Sequence, residues 1–258
     1  MKELAEHLQT PMINLLLSIA DDKLFLGHRN SDWTGIAPIL EADIAFSSLA
    51  QDDIAHASAI YELINTINGQ DPDQIAFGRT ADEYLSASIV STSDSFNWAA
   101  AIARQFFCNH FDYIRLQRLS TCEWEPLASL AKRLTTEQAI HIEHVSSWVV
   151  HLGTGNEESA SRMQEALNVY APLAVMLFEK PEGFDTLVDD GVLHQPDDFF
   201  ATWKQSLHDV VSSAGLTLHL DQITSDFSGG RSGRHEEDFS SSLAELHAVF
   251  NEDPAAKW

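Results

Sequence analysis

The chain has 258 residues, 44% of them hydrophobic and 21% charged, enough to bury a sizeable core as one large domain or a domain with an elaborated tail. Fifteen Lys and Arg stand against thirty-nine Asp and Glu, a formal charge of -24; a field of that sign repels phosphate backbones and anionic lipid, which excludes nucleic acid and membrane as partners. The longest apolar runs, Leu15 to Leu17 and Ala171 to Phe178, fall far short of the ~20 residues that cross a bilayer, and no basic stretch followed by an apolar one opens the sequence. A soluble, cytoplasmic protein is therefore expected. Cys108 and Cys122 have no CxxC spacing and cannot form a disulfide framework, so they read as reduced, buried thiols.

Strand signals are nearly absent, and the chain reads as all-α. Thr10-Pro11 predicts a capped start for helix one, whose apolar stripe Met12, Leu15, Ile19, Leu26 runs to Gly27. Residues 29–38, rich in Asn, Ser, Asp, Gly and Pro, read as a connection, and Leu40 to Ile67 as a long second helix ending before Gly69. A polar stretch from Asp71-Pro72 precedes a third bundle helix over Ser93 to Ser120 and a fourth over Trp124 to Leu152, stopped by Gly153. Asn156 with Glu157 and Glu158 caps a fifth helix reaching about Phe178. Beyond Glu179 the pattern breaks until a helical piece from Asp197 to Ala214. No internal repeat is visible. The expected organisation is a single helical domain over 1–258, with a four-helix bundle core at about 10–178 and a packed tail at about 179–258, because so short a tail has little core of its own.

The informative residues are polar ones in apolar stripes. Asp22 fills a core step on helix one, and Asp53 and His56, three apart, share a face of helix two. Asp112 and Asn109 lie close to the line of Ile102, Phe106, Leu116 and Leu119. On the fourth helix Glu137, His141 and His144 interrupt Leu130, Leu134, Trp148 and Leu152. Burying such groups costs several kcal/mol unless they are paired or bind metal, so a common site in the bundle core is expected. The di-iron bundle template takes a Glu from each of two helices and Glu-x-x-His from the other two. Here Asp22, Asp53-x-x-His56, Asp112 and His141-x-x-His144 follow that layout with shorter carboxylates and one histidine in place of a bridging carboxylate. Two readings stay open: a buried Asp and His network, or a degenerate site holding iron or another divalent metal at Asp22, Asp53, His56, Asp112, Glu137, His141 and His144. His28, His110, His151 and His247 read as solvated. The stretch Ser228-Gly229-Gly230-Arg231-Ser232-Gly233-Arg234-His235 lacks the lysine of a phosphate loop and follows no strand, so it reads as a turn presenting two arginines.

Several of these motifs resemble a known family. Leu17-Ser18-Ile19-Ala20-Asp21-Asp22, then Gly27 through Pro38 with Arg29-Asn30-Ser31-Asp32-Trp33-Thr34-Gly35, are similar to the opening of the C-subunit family of bacterial phenylacetyl-CoA (ring 1,2-) epoxidases. Arg104-Gln105-Phe106-Phe107, the Glu137, His141 and Trp148 series leading to Leu152-Gly153-Thr154-Gly155, Gly229 to His235, and Leu243-Ala244-Glu245-Leu246 extend the resemblance over nearly the whole chain. Asp53-Ile54-Ala55-His56 departs from it, since a glycine and glutamine pair is expected there. The resemblance implies a ferritin-like bundle with no catalytic residue of its own, partnered by a homologous catalytic A-type subunit that carries the di-iron centre, by other epoxidase subunits and by a reductase. A homodimer is expected when the chain is alone. The rival from a different class is a self-sufficient di-iron or di-manganese oxidase built on Asp22, Asp53, His56, Asp112, His141 and His144. A third reading is a helical scaffold outside aromatic catabolism.

Overall fold

Apolar periodicity and local caps set the helices. In a computed structural model the described residues are 4–194, 198–220, 223 and 229–254, and no strand occurs among them. The helices are α1 (Glu6–Ser31), α2 (Leu40–Asn68), α3 (Pro72–Phe77), α4 (Ser88–Ser91), α5 (Trp98–Leu119), α6 (Glu125–Gly153), α7 (Glu157–Val175), α8 (Phe184–Asp189), α9 (Phe199–Ser213) and α10 (Glu237–Glu252). Asp197 and Ser228, which sequence reading placed at a helix start and in a turn, lie outside the described residues.

The expected ends of α2 and α6 and the expected start of α7 hold closely, α5 starts at Trp98 where Ser93 was expected, and neither expected end of α1 holds. Gly69 ends α2 in the left-handed region at φ 73°. Asn97 caps α5, Pro126 sits in the first turn of α6, and Asn156 and Ser159 form the capping box of α7. Helix α1, by contrast, starts at Glu6 and carries Pro11 inside it. Leu8 and Met12 are both buried, so tertiary burial extends the helix past the proline's missing N–H. Nor does Gly27 end α1. A Cβ there would come within 2.8 Å of Ile54 Cγ1 and 3.0 Å of the Ala50 carbonyl oxygen, so this glycine lets α1 lie close against α2.

The chain forms two compact units. The first holds the described residues of Glu3–Ser93, Glu179–Leu187 and Gly229–Trp258; the second holds those of Asp94–Phe178 and Val188–Ser228. The stretch read from sequence as one tail is thus divided between them. In the first unit α1 and α2 pair antiparallel: Asn30 and Lys23 reach Asp53, while Asp21, earlier on α1, reaches Tyr61 further along α2. Helices α3, α4 and α10 pack around this pair, with Phe25, Tyr84 and Phe239 meeting in edge-to-face and tilted contacts in an aromatic core. In the second unit α5, α6, α7 and α9 pack together. Helix α5 is buried nearly all round, and Phe111, Phe178, Phe199 and Trp203 fill the space beside it. The buried line of α6 runs Leu127, Ala131, Leu134, Gln138, His141, Val145, Val149; it shares Leu134 and His141 with the stripe read from the sequence and takes Ala131, Gln138, Val145 and Val149 where Leu130, Glu137, His144 and Trp148 were expected.

Candidate functional site

Each unit contains a buried polar cluster, and every residue singled out on α1, α2 and α5 belongs to one. In the first unit the segment Ser18 to Gly27 of α1 is buried on all sides, including the consecutive charges Asp21, Asp22 and Lys23. Arg231, from the glycine-rich stretch near the C-terminus, grips Asp22 with both guanidinium nitrogens at 2.7 Å and also donates to the carbonyls of Ser18 and Leu85 at 2.8 Å. The Ala87 backbone N–H adds a third donor to Asp22 at 2.9 Å. This is charge-assisted bidentate pairing, the strongest form available to a carboxylate. Arg231 is itself 3% exposed, so the turn expected to present two arginines buries one of them and exposes only Arg234.

The glycines around Arg231 make that burial sterically possible. A Cβ at Gly230 would overlap the Ser86 carbonyl oxygen, and one at Gly233, where φ is 75°, would overlap the Asp82 carbonyl oxygen. The motif is therefore a close backbone approach that delivers a cation to Asp22, a different use of glycine from the phosphate loop it superficially suggests.

Asp53 is fully buried on α2, with one carboxylate oxygen accepting from Lys23 Nζ at 2.9 Å and the other from Asn30 Nδ2 at 3.3 Å. His56, 1% exposed, lies one turn further along the same face. Asp21 is held by both guanidinium nitrogens of Arg79, by the Tyr61 hydroxyl at 2.7 Å and by the Leu85 N–H at 2.7 Å. Burial, followed by the Asp21 charge, pushes the Tyr61 hydroxyl well above its ordinary pKa, so it stays a proton donor.

In the second unit Asp112 pairs with Arg115 one turn along α5, and Arg104 with Asp94 at 3.0 Å. Asn109 accepts from Gln138 Nε2 at 3.0 Å, so Gln138 faces this cluster in full burial while Glu137 beside it is half-buried. His141 is fully buried and His144 half-buried; burial, then the neighbouring His141, lowers the His144 pKa. His110 departs from the solvated state expected of it: it is 4% exposed, its two ring nitrogens lie 3.0 Å from Ser206 Oγ and 3.1 Å from Ser146 Oγ, and burial lowers its pKa to about 4.

The donor chemistry can be compared directly with that of an iron site. Iron binding needs carboxylates whose negative charge is turned toward the ion, whereas Asp22, Asp53 and Asp112 each direct theirs at a guanidinium or ammonium of the same unit. Within either unit, among the described residues, no three His, Cys, Asp or Glu side chains converge as a metal ion requires. The residues as arranged do not fit a bound metal. Sequence reading found the carboxylates and missed their cations Lys23, Arg115 and Arg231. One signal was available, because Lys23 runs directly into the apolar stretch Leu24-Phe25-Leu26 of α1, where a buried ammonium is tolerated only beside an anion.

The all-helical fold is that of a ferritin-like chain, and this one is a member of the family described as Phenylacetic acid catabolic protein, whose model matches residues 1–258. It is similar to the C subunit of the 1,2-phenylacetyl-CoA epoxidase of Escherichia coli (strain K12), at 27% identity over 243 residues covering 94% of this chain and 97% of that protein. The resemblance expected from the Arg-Asn-Ser-Asp-Trp-Thr-Gly and Gly-Gly-Arg motifs is thereby shown. No helix among the described residues is long and apolar enough to cross a membrane.

Proposed function

We propose that this chain is a non-catalytic, structural subunit of a multicomponent phenylacetyl-CoA epoxidase in phenylacetate degradation, acting as one functional domain beside a homologous subunit that activates O₂. The observation that carries this reading is the pairing of Asp22, Asp53 and Asp112 with Arg231, Lys23 and Arg115. Oxygen activation at a paired iron centre uses carboxylates to hold two ions about 3.5–4 Å apart. Carboxylates already neutralised by fixed cations have no comparable charge to offer. The similarity to the C subunit of such an epoxidase supports the assignment to the complex.

Reconstitution tests the reading. The purified chain, supplied with Fe(II), a reductant, O₂ and phenylacetyl-CoA, is expected to turn over nothing and to retain no stoichiometric iron by elemental analysis. Adding an A-type subunit and its reductase is expected to yield epoxide. Product from this chain with the reductase alone would promote the self-sufficient oxidase instead.

A further inference from the structure

One exposed face of α2 is uncharged and carries large apolar side chains, in a chain that is otherwise strongly acidic. Leu40 is 71% exposed, Ile44 62% and Ile54 43%, and Ile36 and Ile39 in the preceding connection are 53% and 51% exposed. Leu40, Ile44, Gln51, Ile54 and Ser58 fall within one narrow sector of the helix. No charged residue interrupts that line, which runs for about 28 Å at the α-helical rise. Single exposed apolar residues need no explanation, but an aligned set of this kind marks an interaction surface.

Charge identifies the occupant. Between Arg29 and Arg79 the sequence has no Lys or Arg at all and eight Asp or Glu. Exposed Glu41 and half-exposed Asp43 and Asp52 flank the apolar line. A second copy placed face to face here would set acid against acid, on top of the repulsion between two chains of charge -24. This argues against the homodimer expected from the sequence.

We infer that the uncharged face of α2, from Leu40 to Ser58 with Ile36 and Ile39 beside it, is the docking surface for an apolar helix face bordered by Lys and Arg on a non-identical subunit. The inference rests on the subunit reading proposed above and adds to it the surface and the chemistry of the partner. Ile44 is an apolar anchor at its centre, and Glu41 lies on a rim that is complementary to the partner's cations.

The test uses the full chain, co-expressed with the remaining subunits of a phenylacetyl-CoA epoxidase and compared as parent, Ile44→Arg, Glu41→Lys and Val169→Arg. The last alters an exposed apolar residue, 58% accessible, on α7. Circular dichroism and melting temperature confirm that each variant folds, and interferometry gives the association constants. Ile44→Arg is expected to weaken association about tenfold or more, the range of a central anchor. Glu41→Lys is expected to weaken it several-fold at low salt and little at high salt, and Val169→Arg to leave it unchanged. Equal binding by Ile44→Arg and parent overturns this surface while leaving the subunit reading intact. Absence of binding by the parent overturns the subunit reading and this occupant with it. A parent that sediments as a dimer dissolved by Ile44→Arg overturns the choice of a non-identical partner in favour of a second copy.

Discussion

At the scale of single residues, the buried charges are compensated one for one, and this sets how the protein responds to substitution. Lys23 is 1% exposed and Asp53 fully buried, so removing either leaves its counterpart in a low-dielectric interior. Lys23→Met or Asp53→Leu alone is expected to destabilise the fold by about 3–5 kcal/mol, whereas the double variant should lie within about 1–2 kcal/mol of the parent, because packed apolar groups replace a buried pair at little net cost. Urea unfolding of the four proteins measures this, and an additive double variant would contradict the pairing. His110 supplies the pH dependence. Its folded pKa, lowered to about 4 by burial, lies below the value near 6.5 of an unfolded histidine. The unfolded chain therefore binds the proton first as pH falls. The stabilising effect of keeping His110 neutral is fully present above pH 6.5 and is lost progressively down to about pH 4, amounting to roughly 3 kcal/mol. His110→Gln should remove that part of the slope when unfolding free energy is followed between pH 7 and 4.

At the scale of elements, helix contacts depend on where side chains are absent as much as where they are present. Gly27 brings α1 onto α2 with the Ala50 carbonyl 3.0 Å from the place a Cβ would occupy, and that backbone atom cannot move without shifting the whole helix. Gly27→Val is therefore expected to cost about 1–3 kcal/mol through overpacking, despite the better helix propensity of valine over glycine. Calorimetry would show this as a lowered melting temperature, partly recovered by adding Ile54→Ala, since Ile54 Cγ1 is the other near neighbour. The same element shows where sequence reading fell short. A glycine near the end of an apolar stripe reads locally as a stop signal, and only the packed partner reveals it as a contact. Pro11 fails as a start signal for the related reason that burial of Leu8 and Met12 outweighs one lost backbone hydrogen bond.

At the scale of the whole molecule, the first unit is assembled from three separate stretches of chain, and its Arg231 to Asp22 pair spans 209 positions. Such contacts require loop-closure entropy to be spent before they are rewarded, so this unit has a strongly non-local folding problem for an all-α protein. The region near the C-terminus contributes more than packing. It supplies the guanidinium for Asp22, the Phe239 ring stacked at 3.7 Å on His235 and placed against Phe25, and the Ser242 hydroxyl that accepts from Arg29. The acidic excess of the chain is likewise uneven, with its surface cations largely missing from α2, which leaves the exposed apolar line there in a purely anionic frame.

The amino-acid sequence by itself determined the helical class, the long helices to within a few residues, the family, and the inward placement of Asp22, Asp53, His56, Asp112 and His141. The family follows from the resemblance of its motifs, and the rest follow from periodicities of three and four residues and from caps, which are local properties of the chain. Only the tertiary structure decided which cation each carboxylate meets, that Gly230 and Gly233 exist to let Arg231 reach the interior, that Gln138 faces Asn109 while Glu137 stays half-buried, and that His110 lies buried between two serine hydroxyls. The physical reason is distance along the chain. A stripe shows that a charge is buried but carries no information about a partner up to 209 residues away, and whether a buried carboxylate binds a metal or a guanidinium depends entirely on that partner.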